Sequence, residues 1–159
     1  MNAEPTLRGN AVVRGSEGEE RPVKVMVIDD SKTIRRTAET LLTRAGYEVI
    51  TATDGFESLS RIVDHSPDII FVDIMMPRLD GYQTCALIKR NQVFKKTPVV
   101  MLSSKDGLFD RARGRIVGSD QYLTKPFTRD EVLGAIAEHL GPRFRARSGT
   151  SRRGKSGYD

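Results

Sequence analysis

The chain has 159 residues, of which 38% are hydrophobic and 30% are charged, which is enough for one domain with a single core. No apolar run reaches the ~18 residues that a membrane helix needs, and the polar start of the chain matches neither a signal peptide nor a transit peptide. The only cysteine, Cys85, excludes an intrachain disulfide and favours a reducing compartment.

The net charge of +5 comes entirely from the last part of the chain. Residues 1–140 hold equal numbers of acidic and basic residues, whereas residues 141–159 carry five arginines and one lysine against one aspartate. This segment has neither the interleaved aromatic residues of a single-strand nucleic-acid platform nor a helix-turn-helix pattern. We interpret residues 142–159 as a disordered basic tail. Contact with a membrane surface, an acidic protein or nonspecific nucleic acid are the alternatives.

Five short apolar runs alternate with five amphipathic stretches along most of the chain. Residues 1–21 lack apolar periodicity and are interpreted as a flexible leader. A single domain follows over residues 22–141. The predicted strands cover residues 23–28, 47–52, 69–73, 98–102 and 121–123, and an amphipathic helix follows each of them.

Strict alternation of strands and helices predicts an α/β fold with one parallel sheet and helices on both faces. We expect a doubly wound (βα)5 domain, a flavodoxin-like three-layer sandwich with the strand order 2-1-3-4-5. In this order the third strand lies beside the first. The third strand, residues 69–73, is a continuous apolar run that ends in Asp73, as expected for a strand buried on both faces.

Polar side chains follow the predicted strands at the edge where parallel strands end and ligands usually bind. Three carboxylates at such an edge repel one another unless a cation joins them, and Mg²⁺ is the usual intracellular ion with oxygen ligands. A lysine and a serine can hold the oxygens of a phosphoryl group, so the set suits phosphorylation of an aspartate. The residues concerned are Asp29, Asp30, Asp73, Ser103 and Lys125.

The sequence contains no Walker-type phosphate loop and no G-x-G-x-x-G motif, so it predicts no nucleotide-binding site. The phosphoryl group would therefore come from a partner protein or from a small phosphodonor.

The same residues resemble those of a two-component response-regulator receiver domain, the CheY-like fold, and the resemblance covers about residues 23–140. The amino-acid sequence also resembles that of the single-domain receiver proteins that govern type IV pilus twitching motility. The matching motifs are Asp29-Asp30-Ser31, Asp73 followed by Met75-Met76-Pro77 and Asp80-Gly81, Ser103-Ser104, and Tyr122 to Phe127.

The resemblance implies that Asp73 is the phosphoacceptor. It implies that Asp30 and Asp73 bind Mg²⁺ directly, that Asp29 binds it through water, and that the backbone carbonyl of Met75 is a further ligand. Lys125 is expected to form a salt bridge with the phosphoryl group, and its bond to the next residue is expected to be a cis proline peptide.

The resemblance also implies a switch pair, Ser103 and Tyr122. The hydroxyl moves toward the phosphoryl group and the aromatic ring turns inward behind it. The face formed by helix four, strand five and helix five changes as a result and contacts a downstream protein target.

The function expected from this resemblance is that of a stand-alone, monomeric response regulator in the bacterial cytoplasm. A histidine kinase or a phosphotransfer protein phosphorylates it, and it signals by protein contact, without specific nucleic-acid binding or membrane insertion. We expect no enzymatic activity beyond loss of its own phosphoryl group. A phosphorylation-independent scaffold is one alternative, but a scaffold has no need to collect three carboxylates. A metal-dependent phosphatase with an aspartyl-phosphate intermediate is the other, but Met75 occupies the place of the second acid that such an enzyme uses.

Overall fold

The computed structural model describes residues 11–14, 20–104, 108–141 and 145–146. It contains eight strands and five helices within these ranges. The strands are β1 (Ala11–Arg14), β2 (Glu20–Pro22), β3 (Lys24–Ile28), β4 (Glu48–Ala52), β5 (Ile69–Asp73), β6 (Val99–Ser103), β7 (Gln121–Thr124) and β8 (Arg145–Ala146). The helices are α1 (Lys32–Arg44), α2 (Gly55–His65), α3 (Gly81–Arg90), α4 (Leu108–Ile116) and α5 (Arg129–Leu140).

The main sheet has five parallel strands in the order β4-β3-β5-β6-β7. This order confirms the prediction, because the third predicted strand, β5, lies between the first and the fourth. Every residue of β5 is buried, which explains why its sequence is continuously apolar rather than alternating.

Helices cover both faces of the main sheet, as the three-layer prediction requires. Because successive side chains of a strand point to opposite faces, each strand contributes to two separate cores. One core joins strand residues with α1 and α5 and includes Val27, Phe71, Leu102, Leu42 and Ile136. The other joins them with α2 and α3 and includes Met26, Ile28, Ile70, Val72, Ile62, Cys85 and Ile88.

Side-chain caps begin four of the helices at the edge where the strands end. Ser31, Asp54, Asp80 and Thr128 each accept a hydrogen bond from a backbone amide of the first helical turn. Thr128 and Asp80 each form a capping box, in which the side chain of the third helical residue bonds back to the cap backbone. Asp106 is a residue type that often caps helices and precedes α4, but it lies outside the described residues.

A second, antiparallel sheet has the order β2-β1-β8 and joins the two ends of the chain. These strands differ from the expectation that residues 1–21 and 142–159 lack regular structure. Val12 and Val13 are β-branched and favour strands. β1 pairs with the nearby β2 and the distant β8, and strands of two to four residues are too short to show an apolar period.

One side chain ties this second sheet to the main domain. Arg21 in β2 donates two hydrogen bonds of 2.9 Å to the carboxylate of Asp68, one residue before β5. Asp68 also accepts a hydrogen bond of 2.8 Å from the backbone amide of Lys24. The boundary between leader and domain at residues 21 and 22 stays a prediction.

Within the described residues, no helix combines the length and the apolar character that crossing a membrane requires.

Candidate functional site

Three carboxylates meet where β3 and β5 end. Asp29 and Asp30 directly follow β3, and Asp73 is the last residue of β5. Asp29 is 0% exposed and Asp73 is 4% exposed, whereas Asp30 is open to solvent. One carboxylate oxygen from each residue lies within 4.8 Å of the other two. Neighbouring parallel strands therefore bring the predicted acidic residues together.

Lys125 directly follows β7, and its side chain contacts two carboxylates of this cluster. Its Nζ donates a hydrogen bond of 2.9 Å to Asp73 Oδ1 and lies 2.9 Å from Asp29 Oδ2 in an ion pair. Burial lowers the pKa of Lys125, but its contacts with Asp29 and Asp73 outweigh burial and raise the pKa above its usual value. Lys125 therefore carries a full positive charge that two carboxylates share.

Burial raises the pKa of Asp73 above its ordinary value. The hydrogen bond from Lys125 lowers this pKa, but repulsion from Asp29 adds to the effect of burial, and the net shift is upward. The contact with Lys125 thus does not offset the combined effect of burial and of the neighbouring carboxylates on the pKa of Asp73.

The polar atoms of Asp29 provide a test of whether a cation fits here. Its Oδ1 accepts a hydrogen bond of 2.9 Å from the backbone amide of Ser31. Its Oδ2 is buried and forms an ion pair of 2.9 Å with Lys125, whose single charge Asp73 shares, and it accepts no further hydrogen bond from the described residues. A buried carboxylate that shares one ammonium with a second buried carboxylate is incompletely compensated, and Mg²⁺ prefers carboxylate oxygens at about 2.0–2.1 Å. The cluster therefore fits a divalent cation such as Mg²⁺.

The loop between β5 and α3 is held tightly against the end of β5. The amide of Ile74 donates to Leu102 O and the amide of Gly81 donates to Ile74 O, both at 2.9 Å. A Cβ atom on Gly81 would lie 2.4 Å from the carbonyl oxygen of Asp73, so only glycine fits there. The side chain of Met75 in this loop is 71% exposed. Its carbonyl as a metal ligand stays a prediction.

The predicted switch residues lie on β6 and β7. Ser103 is buried at the end of β6, one residue after Leu102, which pairs with Asp73. Tyr122 pairs with Met101, two residues before Ser103, so Tyr122 and Ser103 belong to the same face of the sheet. Tyr122 is half-buried and packs against the core beneath α2 and α3.

The strand ends of β6 and β7 are joined next to the acidic cluster. The amide of Lys125 donates a hydrogen bond of 2.6 Å to the carbonyl of Ser103. The Lys125–Pro126 peptide is cis, as expected. Both residues that were predicted to hold a phosphoryl group thus belong to adjacent strand ends.

Two arginines contact residues of this region, and the sequence predicted neither contact. Arg35 of α1 donates a hydrogen bond of 2.8 Å to the backbone carbonyl of Asp29. The guanidinium of Arg111 in α4 lies 4.9 Å from the ring centroid of Tyr122. Lys32 and Arg36 are cations in the same part of α1 and are exposed, so the sequence pattern does not single out Arg35.

Comparison with known families decides what kind of domain this is. The family model described as the response regulator receiver domain matches residues 25–137. The chain belongs to this family. Members of this family act as phosphoacceptors, generally not as enzymes, and they interact with histidine kinases or phosphotransfer proteins.

Known relatives of this receiver domain include one that the match covers almost entirely and longer proteins. Protein PilG of Pseudomonas aeruginosa is 75% identical over 118 residues, which are 74% of this chain and 87% of PilG. The alkaline phosphatase synthesis transcriptional regulatory protein PhoP of Bacillus subtilis is 40% identical over 109 residues, 69% of this chain. The match covers 45% of PhoP, so this chain spans less than half of that relative.

Solved structures agree with the receiver fold. The chemotaxis protein CheY4 of Vibrio cholerae superposes with a TM-score of 0.73 at 32% identity, over 76% of this chain and 100% of that chain. The BeF3-activated DrrB receiver domain gives a TM-score of 0.68 at 27% identity, over 76% of this chain and 99% of that chain.

Proposed function

We propose that this receiver domain is a response regulator that accepts a phosphoryl group on Asp73 in a Mg²⁺-dependent reaction. The observation that carries the proposal is the ammonium of Lys125, which lies 2.9 Å from both Asp29 Oδ2 and Asp73 Oδ1 beside the exposed Asp30. The donor is a histidine kinase or a phosphotransfer protein, because receiver domains interact with these proteins.

The carboxylates of the cluster hold the metal ion. Asp30 and Asp73 bind it directly, Asp29 binds it through water, and the backbone carbonyl of Met75 contributes a further oxygen. When bound, Mg²⁺ neutralises the charge of the carboxylates and of the phosphoryl oxygens during transfer. The buried Asp29 Oδ2, whose ion-pair partner Lys125 is shared with Asp73, supports this assignment.

Asp73 is the nucleophile of the transfer. One carboxylate oxygen attacks the phosphorus of the donor phosphohistidine, an O–P bond forms, and the N–P bond breaks. The electron pair of that bond stays on the imidazole nitrogen, which then takes up a proton from solvent. Lys125 is already protonated and beside Asp73, so it holds an oxygen of the arriving phosphoryl group without a proton transfer. Positioning and charge compensation thus supply most of the catalysis.

Ser103 and Tyr122 convert phosphorylation into a change of surface. The Ser103 hydroxyl donates to a phosphoryl oxygen, and Tyr122 turns inward behind it. The face of α4, β7 and α5 changes and contacts a downstream protein. Helix α4 suits such a role, because Gly114 in its interior lowers its intrinsic stability by about 1 kcal/mol relative to alanine.

The cellular role that fits best is control of type IV pilus twitching motility. The support for it is the similarity to Protein PilG, at 75% identity over 118 residues, together with the resemblance of the motifs to receivers of that system. The protein acts as a monomer in the bacterial cytoplasm and signals through protein contact, not through specific nucleic-acid binding or membrane insertion. It turns over no substrate apart from its own phosphoryl group.

Mass spectrometry of the intact protein tests the site of phosphorylation. Wild type incubated with Mg²⁺ and acetyl phosphate should gain one phosphoryl group, and Asp73→Asn should gain none. Asp64→Asn is the matched control, because Asp64 is an exposed carboxylate on α2, away from the sheet edge. This variant should be phosphorylated like wild type.

A phosphoryl group on Asp73→Asn, or equal loss of labelling in both variants, would contradict the assignment of Asp73. Omitting Mg²⁺ or adding a chelator should abolish labelling of wild type. Unchanged labelling without the metal would contradict the metal-dependent mechanism.

A further inference from the structure

The guanidinium of Arg35 is fixed at the back of the acidic cluster. Arg35 is half-buried in the first turn of α1, and its Nη1 donates a hydrogen bond of 2.8 Å to the backbone carbonyl oxygen of Asp29. Within the described part of the chain, neither Ile34 nor Arg36 donates a side-chain hydrogen bond to Asp29, and Arg36 is exposed to solvent. The contact reaches back six residues, from the helix to the end of β3.

The contact completes the fixation of Asp29. Its amide donates a hydrogen bond of 3.1 Å to the carbonyl of Ala52 in β4. Its Oδ1 accepts from the amide of Ser31, and its carbonyl accepts from Arg35. Three of the four polar atoms of Asp29 thus form hydrogen bonds, and the fourth, Oδ2, lies 2.9 Å from Lys125 Nζ in an ion pair. The other three atoms therefore aim this oxygen into the cluster.

Arg35 acts through the backbone and not as a partner of a carboxylate. Across the described ranges, its guanidinium forms no ion pair within 4.0 Å of an acidic side chain, unlike Lys125. Its hydrogen bond fixes the peptide group that links Asp29 to Asp30, and both of these residues carry cluster carboxylates.

We propose that Arg35 is a positioning residue for the divalent-cation site, and this rests on the proposed function of that site. By holding the Asp29 carbonyl, Arg35 sets the directions in which the Asp29 and Asp30 carboxylates point. The cation bound there is Mg²⁺ or another hard divalent ion with oxygen ligands.

The sign of the effect on metal affinity separates positioning from simple electrostatics. Removing a positive charge near three carboxylates should strengthen the attraction for Mg²⁺. Removing an outer-shell contact that orients ligands weakens metal binding by roughly tenfold. Arg35→Gln loses both the charge and the reach of the guanidinium, so positioning predicts weaker binding and electrostatics predicts tighter binding.

Arg36→Gln is the matched control, because it removes the same charge from the next residue of the helix, which is exposed. Mg²⁺ titrations without any phosphodonor, followed through the amide resonances of Asp29, Asp30 and Asp73, give the dissociation constants. We expect roughly tenfold weaker binding for Arg35→Gln, and binding equal to or slightly tighter than wild type for Arg36→Gln. Arg35→Lys keeps the length and one donor group, and should recover most of the lost affinity.

Equal or tighter binding by Arg35→Gln than by Arg36→Gln would overturn the proposal. If wild type itself binds no Mg²⁺, the proposed function of the cluster fails, which is a different result.

A second test uses wild type alone, so its outcome does not depend on whether a variant folds. Because coupling is reciprocal, Mg²⁺ should slow the hydrogen exchange of the Arg35 guanidinium protons, and unchanged exchange at saturating Mg²⁺ would also overturn the proposal.

Discussion

Lys125 connects the two buried carboxylates on which the site depends. Its ammonium lies 2.9 Å from Asp29 Oδ2 and 2.9 Å from Asp73 Oδ1, and its side chain is mostly buried. The two carboxylates share this single charge, so burial still raises the pKa of Asp73. The arrangement leaves room for a further positive charge, which is compatible with the divalent cation that we propose for this site.

Gly81 shows how closely the chain packs around Asp73. A Cβ atom at this position would lie 2.4 Å from Asp73 O and 2.7 Å from Ile74 Cα, both of which are backbone atoms that cannot turn away. Gly81→Ala should therefore lower the free energy of unfolding by about 1–3 kcal/mol. The midpoint of a urea unfolding curve, at unchanged slope, measures this loss.

Gly141→Ala is the control for the removal of a glycine. Gly141 has right-handed helical angles, φ −46° and ψ −55°, and nothing within 4 Å of a Cβ atom. This variant should be as stable as wild type or more stable by about 0.5 kcal/mol. Equal unfolding midpoints for the two variants would show that the close approach at Gly81 has no energetic weight.

Residue types at strand ends could be predicted, whereas contacts between side chains could not. Asp29 and Asp73 directly follow apolar runs, and Lys125 directly follows the last short strand, so the sequence predicted where each of them lies in the fold. The contacts of Arg35 and Arg111 depend on the direction in which long side chains turn, and several rotamers of an arginine satisfy the same sequence pattern.

At the scale of elements, α4 is held by contacts of its arginines with aromatic rings. Arg111 lies 4.9 Å from the ring centroid of Tyr122 in β7, and Arg113 lies 4.3 Å from that of Tyr82 in α3. Tyr82 is buried in the core. Tyr122 is half-buried and is the residue that we expect to turn inward on phosphorylation.

The contact of Arg111 with Tyr122 should favour the unphosphorylated arrangement. A cation–π contact at an exposed site contributes about 0.5–1 kcal/mol, and it would be lost if the ring turned inward. Arg111→Gln should therefore bind beryllofluoride, with Mg²⁺ present, about two- to fivefold more tightly than wild type. Amide resonances during a beryllofluoride titration measure this affinity.

Arg115→Gln separates this effect from the loss of charge on α4. Arg115 is exposed in the last turn of the same helix, and no aromatic ring within the described residues stacks on it. Its variant should bind beryllofluoride like wild type. An equal change of beryllofluoride affinity in both variants would assign the effect to charge. No change in either variant would show that Arg111 has no role in the switch.

The bounds of the elements were predicted where a capping residue or a break marks them. The five strands of the main sheet agree with the predicted bounds to within one residue at each end. Capping side chains and apolar periodicity are local signals, so the sequence alone is enough to find them.

At the scale of the whole molecule, the order of the main sheet was predictable and the second sheet was not. Five strand–helix units with right-handed crossovers allow few arrangements, and the observed order β4-β3-β5-β6-β7 is the expected one. The antiparallel sheet of β2, β1 and β8 pairs segments from the two ends of the chain, and its shortest strand has two residues. Strands of this length carry no periodic signal.

The amide spectrum of the whole domain with Mg²⁺ and beryllofluoride shows whether Asp73 controls a conformational switch. Beryllofluoride mimics a phosphoryl group on Asp73, so it should shift resonances at Ser103, Tyr122 and along α4, beyond those that Mg²⁺ alone changes. Asp73→Asn should show none of these additional shifts. Additional shifts confined to the immediate neighbours of Asp73, or none at all in wild type, would contradict the account of an aspartate-controlled switch.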